Sequence, residues 1–167
     1  MRIGISYKTL AQLRAFTAED VRKNNAIYLT DEGKEGEFIY DSSDTTSTDN
    51  LGTVLVAGAA RYKRVFNDYV EPSWFYTSGS YSTAIQTALT IGKKVFIKNG
   101  TYLIDTSINV PSNSFIVGEG KSTIIKLNAN NLKAFNISSS IKSNITISDL
   151  SIDGSGQTTN VFTGIRN

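Results

Sequence analysis

Asp149 and Asp153 are the two residues whose type and spacing come nearest to catalysis. Glycosidases work with two carboxylates held at a set separation. Here, however, Asp149 interrupts an alternation of apolar residues and Asp153 adjoins Gly154, and both are settings in which Asp serves a turn. The turn reading is the stronger, and no catalytic residue is assigned. Gly120-Lys121-Ser122 has the closing residues of a phosphate loop, but that loop needs a glycine where Phe115 stands. Asp41, Asp44 and Asp49 lack the alternate spacing of a calcium loop and read as a surface loop. The chain has neither histidine nor cysteine. That removes the commonest general base, the Ser-His and Cys-His nucleophiles, disulfides and the usual zinc ligands. No metal site and no cofactor is expected.

With chemistry of its own unsupported, the chain is read for architecture. Its 167 residues suit one domain or two small ones, and 40% hydrophobic content is enough for a core. Residues 1–76 carry 9 Lys and Arg against 11 Asp and Glu, or −2, and residues 77–167 carry 8 against 4, or +4, which together give the net +2. A basic stripe of the kind that binds nucleic acid is missing. MRIGISYKTLAQL lacks the apolar core of a secretory signal, and no later run is long enough to span a bilayer. Neither a nucleic acid nor a membrane is expected as a partner.

Residues 1–8 read as a leader or arm. Thr9 is placed to cap a short helix with Leu10, Leu13 and Phe16 on one face. Thr17 to Asp20 reads as a second cap, with a carboxylate at the third helical position. Strands are predicted over 26–30, 37–41, 53–56 and 62–66 from β-branched and aromatic content. A charged loop at 31–36 and a polar loop at 41–50 separate them. Such short strands suggest a compact antiparallel module. Glu71-Pro72-Ser73 reads as a linker, with Pro72 stopping regular structure before Trp74. Ile85, Ala88 and Leu89 lie on one face of a helix over 81–91, which Gly92 ends.

From Lys93 onward, short alternating runs recur with Asn, Gly and Ser between them. Ile145 and Ile147 point one way, Thr146 and Ser148 the other, and the phase breaks at Asp149 before Leu150 and Ile152. Strand, corner, strand is the pattern of stacked strands and not of a flat meander. Ser112-Asn113 and Ser143-Asn144 repeat at an offset of 31. A competing offset of 20 aligns Val95, Phe115 and Phe135. Both fall in the range of stacked supersecondary units, which cannot bury an apolar face singly. Gly118 and Gly120 are expected to permit positive φ at a corner. Asn109, Asn113, Asn128, Asn130, Asn131, Asn136 and Asn144 suit left-handed turns. Tyr76 and Tyr81 could stack on sugar rings, but beside Trp74 and Phe75 they read as packing at a domain junction. The residues read as structural are Trp74, Phe75, Gly118, Gly120, Asn144, Asp149 and Gly154.

Two resemblances rest on these residues. Residues 80–154, with the Asn99-Gly100-Thr101-Tyr102 turn, the Gly118-Glu119-Gly120 turn and the Leu150-to-Gly154 end of a coil, look like the opening of the pectate-lyase superfamily of right-handed parallel β-helices. Residues 10–75 resemble the small module upstream of the β-helix in phage tailspikes and tail fibres. Phe38, Tyr40, Asp41, Ser42, Ser43, Asn50, Gly52, Thr53, Val54, Tyr62, Lys63, Arg64, Trp74 and Phe75 carry that likeness. Leu51 departs from it by standing between Asn50 and Gly52. Together they imply a mainly β chain. A small N-terminal α+β module over 1–75 serves virion attachment or the neck. Residues 76–167 hold a capping helix and the first coils of a right-handed parallel β-helix. They also imply a homotrimer, other virion tail or baseplate proteins as partners, location in the virion tail, and host surface polysaccharide as the target of full-length relatives. A polysaccharide lyase or hydrolase of the same superfamily, or a carbohydrate-binding module, is the alternative.

Overall fold

The computed structural model describes residues 5–92, 94–137 and 142–155 and the backbone of 163–166. The chain divides into two compact units, 1–67 and 68–167.

In the first unit, β1 (Ser6–Lys8), α1 (Leu10–Arg14), α2 (Ala18–Lys23), β2 (Ala26–Leu29), β3 (Gly36–Tyr40), β4 (Val54–Ala57) and β5 (Ala60–Arg64) follow in sequence. They give one five-stranded sheet in the order β1-β2-β3-β5-β4. Strands β2 to β5 pair antiparallel, as such short strands suggest. The supposed arm supplies a fifth strand: β1 pairs parallel with β2, Ser6 opposite Ile27. Three residues are too few to show a period, so the sequence hid it. Both helices begin in capping boxes, Thr9 with Gln12 and Thr17 with Asp20. Each Thr accepts from the third helical amide while the partner side chain accepts from the Thr amide. Leu13, Val21, Ile27, Leu29, Phe38, Leu55 and Tyr62 make the core.

Between them, Arg64 ties two loops to β5. Its guanidinium is buried over the Phe38 ring, 4.5 Å from the centroid. It donates to the carbonyls of Gly52 at 2.6 Å, Glu35 at 2.7 Å and Lys34 at 2.7 Å. A Cβ at Gly36 would collide with it.

The second unit opens with a 3₁₀ turn, Pro72–Phe75, then α3 (Ser82–Ile91). Nine strands follow: β6 (Lys94–Ile97), β7 (Gly100–Ile104), β8 (Ile108–Asn109), β9 (Phe115–Gly118), β10 (Thr123–Leu127), β11 (Lys133–Asn136), β12 (Thr146–Ser148), β13 (Ser151–Asp153) and β14 (Thr163–Arg166). They form three sheets, β6-β9-β12, β7-β10-β13 and β8-β11-β14, and every pair is parallel. Each strand therefore pairs with the strand three places on. Inward side chains meet in columns: Val95, Ile116 and Ile147 in one, Tyr102, Ile125 and Ile152 in another, Ile108 and Phe135 in a third. Stacking like on like lets each turn cover the apolar face of the last.

Three expectations need correction. The offset of 31 is real, since Phe115 pairs with Thr146. The offset of 20 is not: Val95 pairs with Ile116, 116 − 95 = 21, and Phe135 pairs with Ile108 in another sheet. Turn length varies at the corners, so no single period describes the stack. Pro72 starts a 3₁₀ turn instead of ending order, because its missing N–H is not needed at the first position. Finally, the units part at 67/68 and not after 75. Val70, Trp74 and Phe75 belong to the core of the second unit, and Val70 bridges to Val95.

Candidate functional site

A parallel sheet has a first edge, and its unpaired amides and carbonyls invite another strand. In the second unit that edge belongs to β6, β7 and β8, and residues 70–86 close all three. On β6, Val70 donates to the Lys94 carbonyl at 2.9 Å and accepts from Phe96 N–H at 3.0 Å. On β7, Tyr81 N–H donates to the Leu103 carbonyl at 2.7 Å. Just beyond, the Ser82 hydroxyl accepts from Asp105 N–H and Thr106 N–H, both at 3.0 Å. On β8 a side chain replaces a strand. Gln86 Oε1 accepts from Asn109 N–H at 2.9 Å, and its Nε2 donates to the Asn109 carbonyl at 3.0 Å. One side-chain amide thus makes the two bonds that a peptide group would make.

Helix α3 can hold these groups because its other face is apolar. Ala84, Ile85, Ala88 and Leu89 are buried in the same core as the columns. Gly92 ends it as expected, at φ −135°, an extended conformation. Glycine is needed there for space, since a Cβ would strike the Val70 side chain. Tyr76 stacks on Tyr81, rings 3.8 Å apart and 2° from parallel, and Tyr81 meets Tyr102 edge-on at 4.8 Å. The two tyrosines weighed as sugar platforms are therefore packed on each other and against this core. Tyr102 donates to the Lys98 carbonyl at 2.9 Å, and burial pushes its phenol up to about 12. The hydroxyls of Ser80 and Ser82 hold the Asp105 carboxyl below the usual carboxylate range.

The residues singled out from the sequence lie beside α3 and at several corners of the stack. Trp74 and Phe75 are buried beside α3. Gly118, Gly120 and Asp149 come together at a corner: Gly120 N–H donates to the Asp149 carbonyl at 2.8 Å. Gly120 has φ +107° and Asp149 has φ +56°, both in the left-handed half of backbone space. Gly118 does not have positive φ; it is glycine because a Cβ would collide with the Asp149 carbonyl and lie 2.9 Å from Thr123 Cβ. Asn144, φ +56°, donates its amide to Asn113 Oδ1 at 2.9 Å, across the repeat of 31. Asn136 does the same to Asn109. Half-buried Gly154 follows Asp153, which accepts from Ser155 N–H at 2.8 Å and faces Lys126 at 3.8 Å. That serine holds the Asp153 carboxyl low, as turn chemistry requires. At the Gly120-Lys121-Ser122 corner, the Gly120 amide is already given to the Asp149 carbonyl.

The acidic loop is likewise engaged internally. Asp41 accepts from Ser43, Asp44 from Thr46, Ser47 and Lys63, and Asp49 from Leu51 and Val56. Among the described residues no group of three acidic side chains is placed to hold a metal. No described helix is long and apolar enough to cross a membrane. Sequence reasoning missed Val70, Ser82 and Gln86. Gln86 looked like any polar residue on the wet side of a helix, and its partner, Asn109, lies 23 residues away.

Residues 6–67 match the family model described as the phage tail protein small four-stranded beta-sheet domain. The first unit resembles phage tail proteins in sequence as well as in shape. Solved structures extend the likeness over most of the chain. The tailspike protein of Acinetobacter baumannii phage AM24 aligns at TM-score 0.60 and 22% identity, over 86% of this chain and 32% of that one. Full-length tailspike protein 2 from an Escherichia coli O157:H7 bacteriophage aligns at 0.58 and 22%, over 88% and 20%. The enzymatically active domain of tailspike protein 2 of bacteriophage CBA120 aligns at 0.57 and 20%, over 95% and 27%. At such identities the likeness is one of fold. The chain spans a fifth to a third of the length of these proteins.

Proposed function

We propose that this chain is the N-terminal portion of a phage tailspike. The first unit joins the spike to the virion tail. The second begins a right-handed parallel β-helix, with α3 as its capping helix. One observation carries this reading: the strands of the second unit recur in three parallel sheets whose first edge is closed by Val70, Ser82 and Gln86. A stack closed at one edge starts from that edge and lengthens at the other. The role of this chain is structural; in full-length relatives the later coils bind or cleave host surface polysaccharide. The spike works as a homotrimer docked on other tail or baseplate proteins.

The attachment role is tested by competition. The intact chain, labelled, is mixed with dissociated tails of the parent phage and sedimented. Co-sedimentation that the full spike displaces supports it; a chain left in the supernatant at saturating tail concentration overturns it. The homotrimer is tested by sedimentation equilibrium, where a monomer at every concentration counts against assembly through this portion. A reducing-end assay on host polysaccharide should show no cleavage, and turnover by this chain would favour the enzyme reading instead.

A further inference from the structure

We infer that Asn99-Gly100 is a spontaneous modification site whose reaction the fold holds in check through Ser122. An asparagine followed by glycine is prone to cyclise, because glycine has no Cβ to obstruct attack by its own amide nitrogen. The Gly100 nitrogen loses its proton and attacks Asn99 Cγ. A C–N bond forms to give a succinimide, the Cγ–Nδ2 bond breaks, and ammonia leaves. Water then opens the ring to aspartate or isoaspartate. No other reagent is needed.

Both reacting groups are held by one residue. Gly100 N–H donates to the Ser122 carbonyl at 3.1 Å, and Ser122 Oγ donates to Asn99 Oδ1 at 2.8 Å. Asn99 and Gly100 are exposed, so water and base reach them. What restrains them is hydrogen bonding: the nucleophile is committed to the Ser122 carbonyl in the β7–β10 pairing, and the amide carbonyl accepts from the Ser122 hydroxyl. The product would be ill placed. Asn99 N–H donates to Glu119 Oε2 at 2.7 Å, so a new carboxylate would arise beside an existing one. Isoaspartate would also add a backbone carbon just before β7 and shift the column that Tyr102 begins. Asn113 and Asn144, followed by Ser114 and Ile145, carry side chains at the attacking position and serve as internal comparators.

The test is a time course at mildly alkaline pH with mass spectrometry of chymotryptic peptides, Ile97 to Tyr102 being the reporter. Deamidation of Asn99 should run at least about tenfold slower in the folded chain than in denaturant. Ser122→Ala should speed it two- to tenfold, the range of one net hydrogen bond. Ser122→Thr, which keeps the hydroxyl, should retain the slow rate, and circular dichroism monitors folding of each variant. Equal rates in folded and unfolded wild type overturn the inference. So does a slower reaction in folded Ser122→Ala, which would make the hydroxyl an activator of Cγ, or a fast reaction in folded Ser122→Thr.

Discussion

Replacing Gly118 by alanine should destabilise the second unit alone, and by more than any neighbouring glycine does. The added methyl would collide with the Asp149 carbonyl and stand 2.9 Å from Thr123 Cβ. Neither obstacle is a flexible side-chain tip. Asp149 is fixed by its left-handed backbone and by accepting from Gly120 N–H, and Thr123 is fully buried. Relief must therefore separate β9 from the corner that leads into β13. Overpacking of this kind costs about 3 kcal/mol, the upper part of the usual range. For a unit of this size that is a fall of roughly 12–24 °C in melting temperature. Gly120→Ala is the comparator. Its Cβ meets nothing within 4 Å, so only the φ of +107° opposes it, at about 1–2 kcal/mol. Calorimetry would follow both variants, with the transition of the first unit as an internal control. A Gly118→Ala protein that melts within about 2 °C of wild type, or Gly120→Ala the worse of the two, would refute the packing argument.

Other consequences are simpler to state. Gln86→Ala should cost about 1 kcal/mol and leave the Asn109 amide in fast hydrogen exchange, while the amides of β10 stay protected; unchanged exchange at Asn109 would show that Gln86 does not close that edge. Arg64→Met should cost the first unit about 3 kcal/mol, since three carbonyls lose their donor, and urea unfolding followed at the first transition measures it. Burial raises the phenol of Tyr62 to about 12. Its folded value lies above the unfolded one, so stability is intact below pH 10 and falls as pH rises toward about 12. Tyr62→Phe should flatten that loss in an alkaline melting series. Asp105 has the opposite sign. Its folded value is lowered, so its contribution is present above the ordinary value of 3.8 and disappears as pH falls below it. Asp105→Asn should reduce the acid sensitivity of the second unit.

Much of this was legible in the sequence because local chemistry decided it. Thr9 could be named as a cap from the helical spacing of Leu10, Leu13 and Phe16 after it, and Thr17 from Asp20 three places on. Asp149 and Asn144 could be named as corners because apolar phase breaks there and few residue types tolerate positive φ. The repeat of 31 was legible where Asn113 and Asn144 marked it. The competing offset of 20 arose because apolar residues recur in every strand, and matching them says nothing about which sheet they occupy. Gly118 was assigned a corner for the wrong reason: glycine serves conformation or space, and the letter is the same for both. The capping helix was legible, but the groups that close the first edge were not. Val70, Ser82 and Gln86 act on residues more than 20 positions away, and a glutamine that imitates a peptide group has no sequence mark. Pro72 and the strand at Ser6–Lys8 were misread because a single residue or a three-residue run carries no period.

Paired cysteines on the outer face of β7, β10 and β13 test the stacking directly, since the chain has no cysteine of its own. Thr101 stands opposite Ile124, and Ile124 opposite Ser151. Neighbouring strands about 4.8 Å apart lie within disulfide range. Thr101→Cys/Ile124→Cys and Ile124→Cys/Ser151→Cys should each cross-link on mild oxidation with the fold retained. If neither forms, while pairs set for an antiparallel register do, the strands run opposite to one another and the parallel stack is contradicted.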